Sequence, residues 1–281
     1  MFGDTNKGDE NFMIHRIMLV LCGLISVPTA AAAQHYNIQN IARLDILRGY
    51  PTQNGHMLAA HIQLRDKWKT YWRAPGGNGI PPLFDWTGSK NVRAVSFHWP
   101  EPTLFYEAAG QTIGYKSELV LPISVIPQVA GQPISLKGEV AFGVCQDICI
   151  PLRAKFALNI AGTDPHSQRV IRAALKKQPK TAKAAGVHSV SCFIKPIKDG
   201  FNLTASMKTR SILPTNTFTV VEFPHPDVWI EQDRTTSDGT KLTASANLYS
   251  YGDTPLIVDR RKITMTLLGG KHAIEVRGCP S

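Results

Sequence analysis

Beyond its first segment, this 281-residue sequence lacks long apolar runs. After residue 33 no stretch approaches the roughly 18 apolar residues that a membrane-spanning helix needs, so no span is expected there. Strands alternating with long helical patterns are also missing, which argues against a parallel α/β sheet. The glycines of residues 74–82, APGGNGIPP, are followed by neither Lys-Ser nor Lys-Thr nor a helical pattern, so they do not form a phosphate loop. No serine elbow and no His-Glu metalloprotease motif occurs, which leaves hydrolytic chemistry without support. Acidic residues are in deficit, 21 Asp+Glu against 31 Lys+Arg. That bias suits an acidic partner or an anionic surface. No basic–aromatic motif of a nucleic-acid reader accompanies it, so no nucleic-acid partner is expected.

What is present begins with an export signal over residues 1–33. Met13 to Arg16 is a short basic region, residues 17–25 are an apolar core too short for an anchor, and Ala31, Ala32 and Ala33 suit cleavage before Gln34. The start is Met1 or Met13. Cys22 follows Leu21, which is not small, so a lipoprotein anchor is not expected. Cleavage leaves 29 basic and 18 acidic residues, a net charge of +11. The expected product is a basic periplasmic protein with four cysteines: Cys145, Cys149, Cys192 and Cys279. An even count in an oxidising compartment suggests two disulfides. Three pairings exist. The expected one is Cys145–Cys149 with Cys192–Cys279, because the first pair is local and the second brackets one segment.

Residues 138–156, GEVAFGVCQDICIPLRAKF, read as strand, tight turn and strand. Val140, Phe142 and Val144 alternate before the turn, and Leu152, Ala154, Phe156 and Leu158 alternate after it, the period of half-buried strands. Four residues of extended chain would separate Cys145 and Cys149 by about 13 Å, whereas a disulfide needs Cα atoms within about 7 Å. A bond between them therefore requires residues 146–148 to fold back. Pro151 fits an edge strand, where a missing N–H costs least.

The remaining pattern is also of strands. Before the hairpin they fall at residues 58–64, 66–73, 83–86, 92–99, 119–126 and 134–144, with residues 100–117 as a long connection. About seven more follow residue 187, which suggests a second sandwich. Residues 164–185 carry the one helical pattern, with Thr163 or Asp164 as cap, Pro165 in the first turn and a basic end. They are expected to form a solvated linker. The expected organisation is all-β: one sandwich over residues 34–162, a helical linker over 163–186 and a second sandwich over 187–281.

A small ring at an exposed turn is where access makes a disulfide exchangeable, although the same spacing also serves as a plain hairpin staple. Cys192–Cys279, which closes a long loop, reads as structural. Cys145 and Cys149 together could instead grip Cu(I). No metal site is the primary expectation, because His56, His61 and His98 are scattered among strands and none is near the pair in sequence.

Four motifs in order, WKTYWRAPGGNGIPP from Trp68, FHWPEP from Phe97, GYKSELVLP from Gly114 and CQDICIP from Cys145, carry a family resemblance over about residues 40–160. This region resembles the N-terminal periplasmic domain of the DsbD and ScsB thiol reductases, most closely the ScsB-like branch. The segment after residue 187 is more weakly similar to the second sandwich of ScsB-like proteins. The resemblance implies immunoglobulin-like sandwiches, no cofactor, and an oxidoreductase component that passes electrons by thiol–disulfide exchange to thioredoxin-fold periplasmic partners. It implies that Cys149 forms mixed disulfides and Cys145 resolves them. It also implies that residues 105–110 are a cap loop, with Phe105, Tyr106 and Ala108 beside the pair and Ala108 where the family's cap aromatic stands. A membrane channel and a C-terminal thioredoxin domain are not read in these residues, so a separate membrane electron donor is expected. The rival readings are a copper-tolerance protein binding Cu(I) through the same cysteines, and a binding module whose two disulfides are both structural.

Overall fold

Period-two alternation builds most of this chain. The computed structural model describes residues 41–77, 79–107, 110–160, 162–252 and 256–280. The export signal read at residues 1–33 lies outside them, as does Ala108. The first half contains β1 (Ala42–Thr52), β2 (Gly55–Leu64), β3 (Lys69–Tyr71), β4 (Leu83–Asp85), β5 (Ala94–Phe97), β6 (Thr103–Glu107), β7 (Gly110–Lys116), β8 (Glu118–Ile126), β9 (Ile134–Cys145) and β10 (Cys149–Ile160). After helix α1 (Pro165–Leu175) come β11 (Lys180–Thr181), β12 (Val187–Ile197), β13 (Gly200–Thr209), β14 (Phe218–Glu222), β15 (Val228–Ser237), β16 (Lys241–Ser250), β17 (Thr264–Leu268) and β18 (Ile274–Arg277). The protein is all-β, as expected, and its sheets form immunoglobulin-like sandwiches.

In the first sandwich a β1-β2-β8-β5 sheet faces a β10-β9-β3-β7-β6 sheet, with β4 also paired to β9. Leu58, Ile62, Leu121 and Ile123 from one sheet meet Ile113, Val140, Phe142, Val144 and Leu152 from the other in a single core. Burial of such aliphatic side chains is the main favourable term, about 1.5–3 kcal/mol each. β10 lies at the edge of its sheet, the position anticipated for Pro151. The second sandwich pairs a β12-β13-β16-β15 sheet with a β11-β18-β17-β14 sheet.

The β11-β18-β17-β14 sheet is covered on both faces. Val221, Met265, Leu267 and Val276 point into the second core. Val220, Leu268 and Ala273 belong to the first sandwich's core instead. That is why the neighbours Val220 and Val221, and Leu267 and Leu268, are buried in succession rather than alternately.

Two expectations change. Residues 100–117 are not an open connection but contain the β6–β7 hairpin. The helix is shorter than residues 164–185 and is not a solvated linker. Asp164 caps it by accepting from the His166 N–H at 3.0 Å, and the helix ends at Leu175, before Pro179. Beyond Pro179, Lys180 and Thr181 join β18 as a short parallel strand. Ile171 is fully buried against Met57 and Ala59, on the face of β2 turned away from the sandwich core. Ile171→Ala is expected to lower stability by about 2–4 kcal/mol, read as a reduced urea midpoint. An unchanged midpoint would show that the helix contributes no packing.

Candidate functional site: a disulfide at a hairpin tip

β9 ends and β10 begins on the two cysteines. Cys145 and Cys149 are direct cross-strand partners, their Cα atoms are 4.1 Å apart, and their sulfurs are bonded. Residues 146–148 make the fold-back, closed by the Gln146 N–H donating to the Ile148 carbonyl at 3.2 Å. The ring is asymmetric: Cys145 is 5% exposed, whereas Cys149 is exposed.

Strand alternation selects the neighbours. Lys69 is paired with both Cys145 and Lys116 in register, and Tyr71 lies two residues further along the same face. Residues opposite one another share a sheet face, so Lys69, Tyr71, Cys145, Cys149, Thr112 and Phe105 lie on the outer face of this sheet. The opposite face carries the core residues Val144, Phe142 and Leu152. Tyr71 is 1% exposed, and its hydroxyl is 3.1 Å from Cys149 Sγ. Its ring fits because two neighbours are glycines. A Cβ on Gly143 would lie 3.0 Å from Tyr71 Cδ2, and one on Gly79 would lie 2.9 Å from Tyr71 Cδ1. Gly79, in the loop that follows, thus lies against the tyrosine ring. The loop, residues 74–82, is anchored by Ile113 N–H donating to Pro75 O at 3.0 Å and Gly143 N–H donating to Ile80 O at 3.2 Å.

Two cations flank this face. Lys69 is 4% exposed. Its Nζ donates to Thr112 Oγ1 at 3.3 Å and sits 5.4 Å from the Phe105 ring centre. Lys116 Nζ is 5.2 Å from the same ring. Positive charge beside a cysteine pair favours thiolate in the reduced state. Arg153 shares the face of Cys149 but is four residues along the strand, and its guanidinium binds Glu139 at 2.8 Å.

Among the expected cap residues, Phe105 is buried on the site's face, reached through Lys69 and Lys116. Tyr106 is 67% exposed and alternation turns it to the other face. Ala108 lies outside the described residues. Lys69 and Tyr71 were not singled out from the sequence. Their signal was the alternation within KTYW, but only the pairing of β3 with β9 brings them to cysteines more than 70 positions away.

The second pair is built differently. Cys192 on β12 and Cys279 after β18 are bonded across 87 residues with Cα atoms 5.6 Å apart. They are 8% and 1% exposed, and the Cys279 N–H donates to Arg260 O at 2.9 Å. Among the described residues, no three or more His, Cys, Asp or Glu side chains converge as metal ligands would. His56, His61 and His98 engage Arg48 O, Glu118 and Ser124 in the sheet opposite the cysteine ring. No described helix is long and apolar enough to cross a membrane.

Comparisons with known proteins agree with this geometry. The family profile described as thiol:disulfide interchange protein DsbD, N-terminal, matches residues 42–161, a span that includes Cys145 and Cys149. The crystal structure of the N-terminal periplasmic domain of ScsB from Proteus mirabilis superimposes with a TM-score of 0.66 at 22% identity. It covers 86% of this chain and 94% of its own, so the shared fold runs through both sandwiches. No curated protein sequence matches the chain. Residues 42–161, with the cysteine pair at their hairpin tip, are thus an N-terminal domain of the DsbD thiol:disulfide interchange family, in a fold shared with the ScsB domain.

Proposed function

We propose that this protein is a periplasmic dithiol–disulfide carrier that passes two electrons through Cys145 and Cys149 between thioredoxin-fold proteins or a membrane donor. The observation that carries this is the unequal exposure of the two cysteines, with the Tyr71 hydroxyl on Cys149 Sγ. The domain limits go with it: an export signal at residues 1–33, a carrier sandwich at 34–162, a connector at 163–186 that holds α1 and the short strand β11, and a disulfide-stapled sandwich at 187–281.

The exchange balances as follows. A donor thiolate attacks Cys149 Sγ, the Cys145–Cys149 bond breaks, and Cys145 leaves as a thiolate that takes a proton. The donor's second thiol loses its proton and attacks its own sulfur in the mixed disulfide, which releases Cys149. The donor ends as a disulfide and the carrier as a dithiol. Lys69, opposite Cys145, favours the first leaving thiolate. The Tyr71 hydroxyl, donating to Cys149 Sγ, favours the second. Delivery to an acceptor disulfide runs the same steps in reverse.

The test is equilibration of the oxidised full chain with a reduced thioredoxin-fold protein, followed by thiol trapping and mass spectrometry. Two thiols should appear at Cys145 and Cys149 for each pair lost by the donor, with Cys192–Cys279 unchanged. No transfer, together with stoichiometric Cu(I) uptake by the reduced chain that is lost in Cys145→Ser or Cys149→Ser, would replace the carrier with a copper-binding protein.

A further inference from the structure

An arginine two residues from Tyr71 is gripped by the second sandwich. Arg73 follows Tyr71 by two residues, on the opposite side of fully buried Trp72. Its Nε and Nη2 donate to the two carboxylate oxygens of Glu222 at 2.8 and 2.9 Å. Nη2 also donates to Glu275 at 2.9 Å, and the guanidinium stacks on the Trp72 ring at 4.2 Å. Both glutamates belong to the second sandwich, Glu222 at the end of β14 and Glu275 within β18. A forked, two-point grip of this kind fixes orientation as well as distance. Burial by itself would push the Arg73 pKa down. The Glu222 hydrogen bonds and the charges of Glu222 and Glu275 outweigh that and hold it above its ordinary value.

What this clamp fixes is a short piece of chain. β3 has three residues, and the Trp72 N–H donates to Ile113 O at 3.0 Å. A shift at Arg73 therefore passes to Tyr71 through Trp72, which is fully buried and has little freedom. On its open side the guanidinium borders a crevice of about 360 Å³ between the sandwiches, edged by Phe97, Trp99 and Arg277. The Trp72 ring and the two carboxylates together set its position.

We infer that Glu222 and Glu275 are positioning residues for the Cys145–Cys149 couple. Through Arg73 they fix Trp72 and Tyr71, and so keep the Tyr71 hydroxyl on Cys149 Sγ. The second sandwich is then part of the redox site, 73 or more positions away in sequence from the nearer cysteine. This rests on the carrier reading for its biological meaning, but its test needs no partner.

The test uses the full chain with Cys145→Ala and follows iodoacetamide alkylation of Cys149 against pH. A hydroxyl donating to a thiolate contributes on the order of 1.5 kcal/mol, so Tyr71→Phe should slow alkylation at neutral pH about tenfold and move the profile to higher pH. Glu222→Gln/Glu275→Gln should move it in the same direction. Added to Tyr71→Phe, the glutamine pair should cause no further change, because both act through one contact. Arg73→Lys, which keeps the charge but loses the fork, is the second variant and should behave like the glutamine pair. A lowered unfolding midpoint with an unchanged alkylation profile, in any folded variant, would reduce the clamp to domain glue and overturn the inference. So would an effect fully additive with Tyr71→Phe. If the profile shifts but Cys149 exchanges with no thioredoxin-fold protein, the positioning role stands and the carrier reading fails.

Discussion

Full-chain protein with Cys145→Ala is expected to accumulate a stable mixed disulfide at Cys149 with a thioredoxin-fold partner, whereas Cys149→Ala forms none. The reason is access. Exchange requires an approach along the axis of the attacked sulfur, and Cys149 is exposed while Cys145 is 5% exposed. Without Cys145 no internal thiol is beside Cys149 to resolve the adduct. Cys192 and Cys279 cannot substitute, because they are bonded to each other in the other sandwich. Without Cys149 the remaining thiol belongs to the buried member of the pair. The check is non-reducing electrophoresis and mass spectrometry after mixing each variant with a partner whose second active-site cysteine is replaced and whose first is held as a mixed disulfide with a small thiol leaving group. An adduct on Cys149→Ala but not on Cys145→Ala would reverse the two roles. No adduct on either would remove the carrier function.

Loss of the Cys192–Cys279 bond is expected to be the most damaging change to stability. The bond closes 87 residues, and chain entropy for a loop of that length gives roughly 4 kcal/mol. Cys192→Ala/Cys279→Ala should lower the urea-unfolding free energy by about that much and leave thiol transfer through Cys145 and Cys149 measurable below the new midpoint. The hairpin ring spans four positions, for which the same relation gives only about 2 kcal/mol. Cys145→Ala/Cys149→Ala should therefore abolish exchange at a smaller cost in stability. Equal costs, or the opposite order, would contradict the division into one structural and one exchangeable bond.

Much of the cysteine hairpin was legible in the residues themselves. Alternation of Val140, Phe142 and Val144 and of Leu152 and Phe156 is a local, period-two signal, and it survives because one face of β9 and β10 is core. Pro151 marked an edge strand for an equally local reason. The helix start was readable from Asp164 and Pro165, but its docking was not. A face carrying Ile171 and Ala174 looks the same whether it covers a sheet or borders solvent. The β6–β7 hairpin was missed because residues 108–110, AAG, give a weak turn signal and the strands are short.

By itself, then, the sequence determined the all-β class, the hairpin with its two cysteines, and the strand pattern of the second sandwich. Each of these rests on residue type and spacing within about a dozen positions. Only the tertiary structure decided which cysteine is buried, that Tyr71 and Lys69 stand beside the ring, and that Glu222 and Glu275 reach Arg73. Those contacts depend on strand order and on how one sandwich is seated against the other. They join residues about 75 to 200 positions apart, over which the local period carries no information.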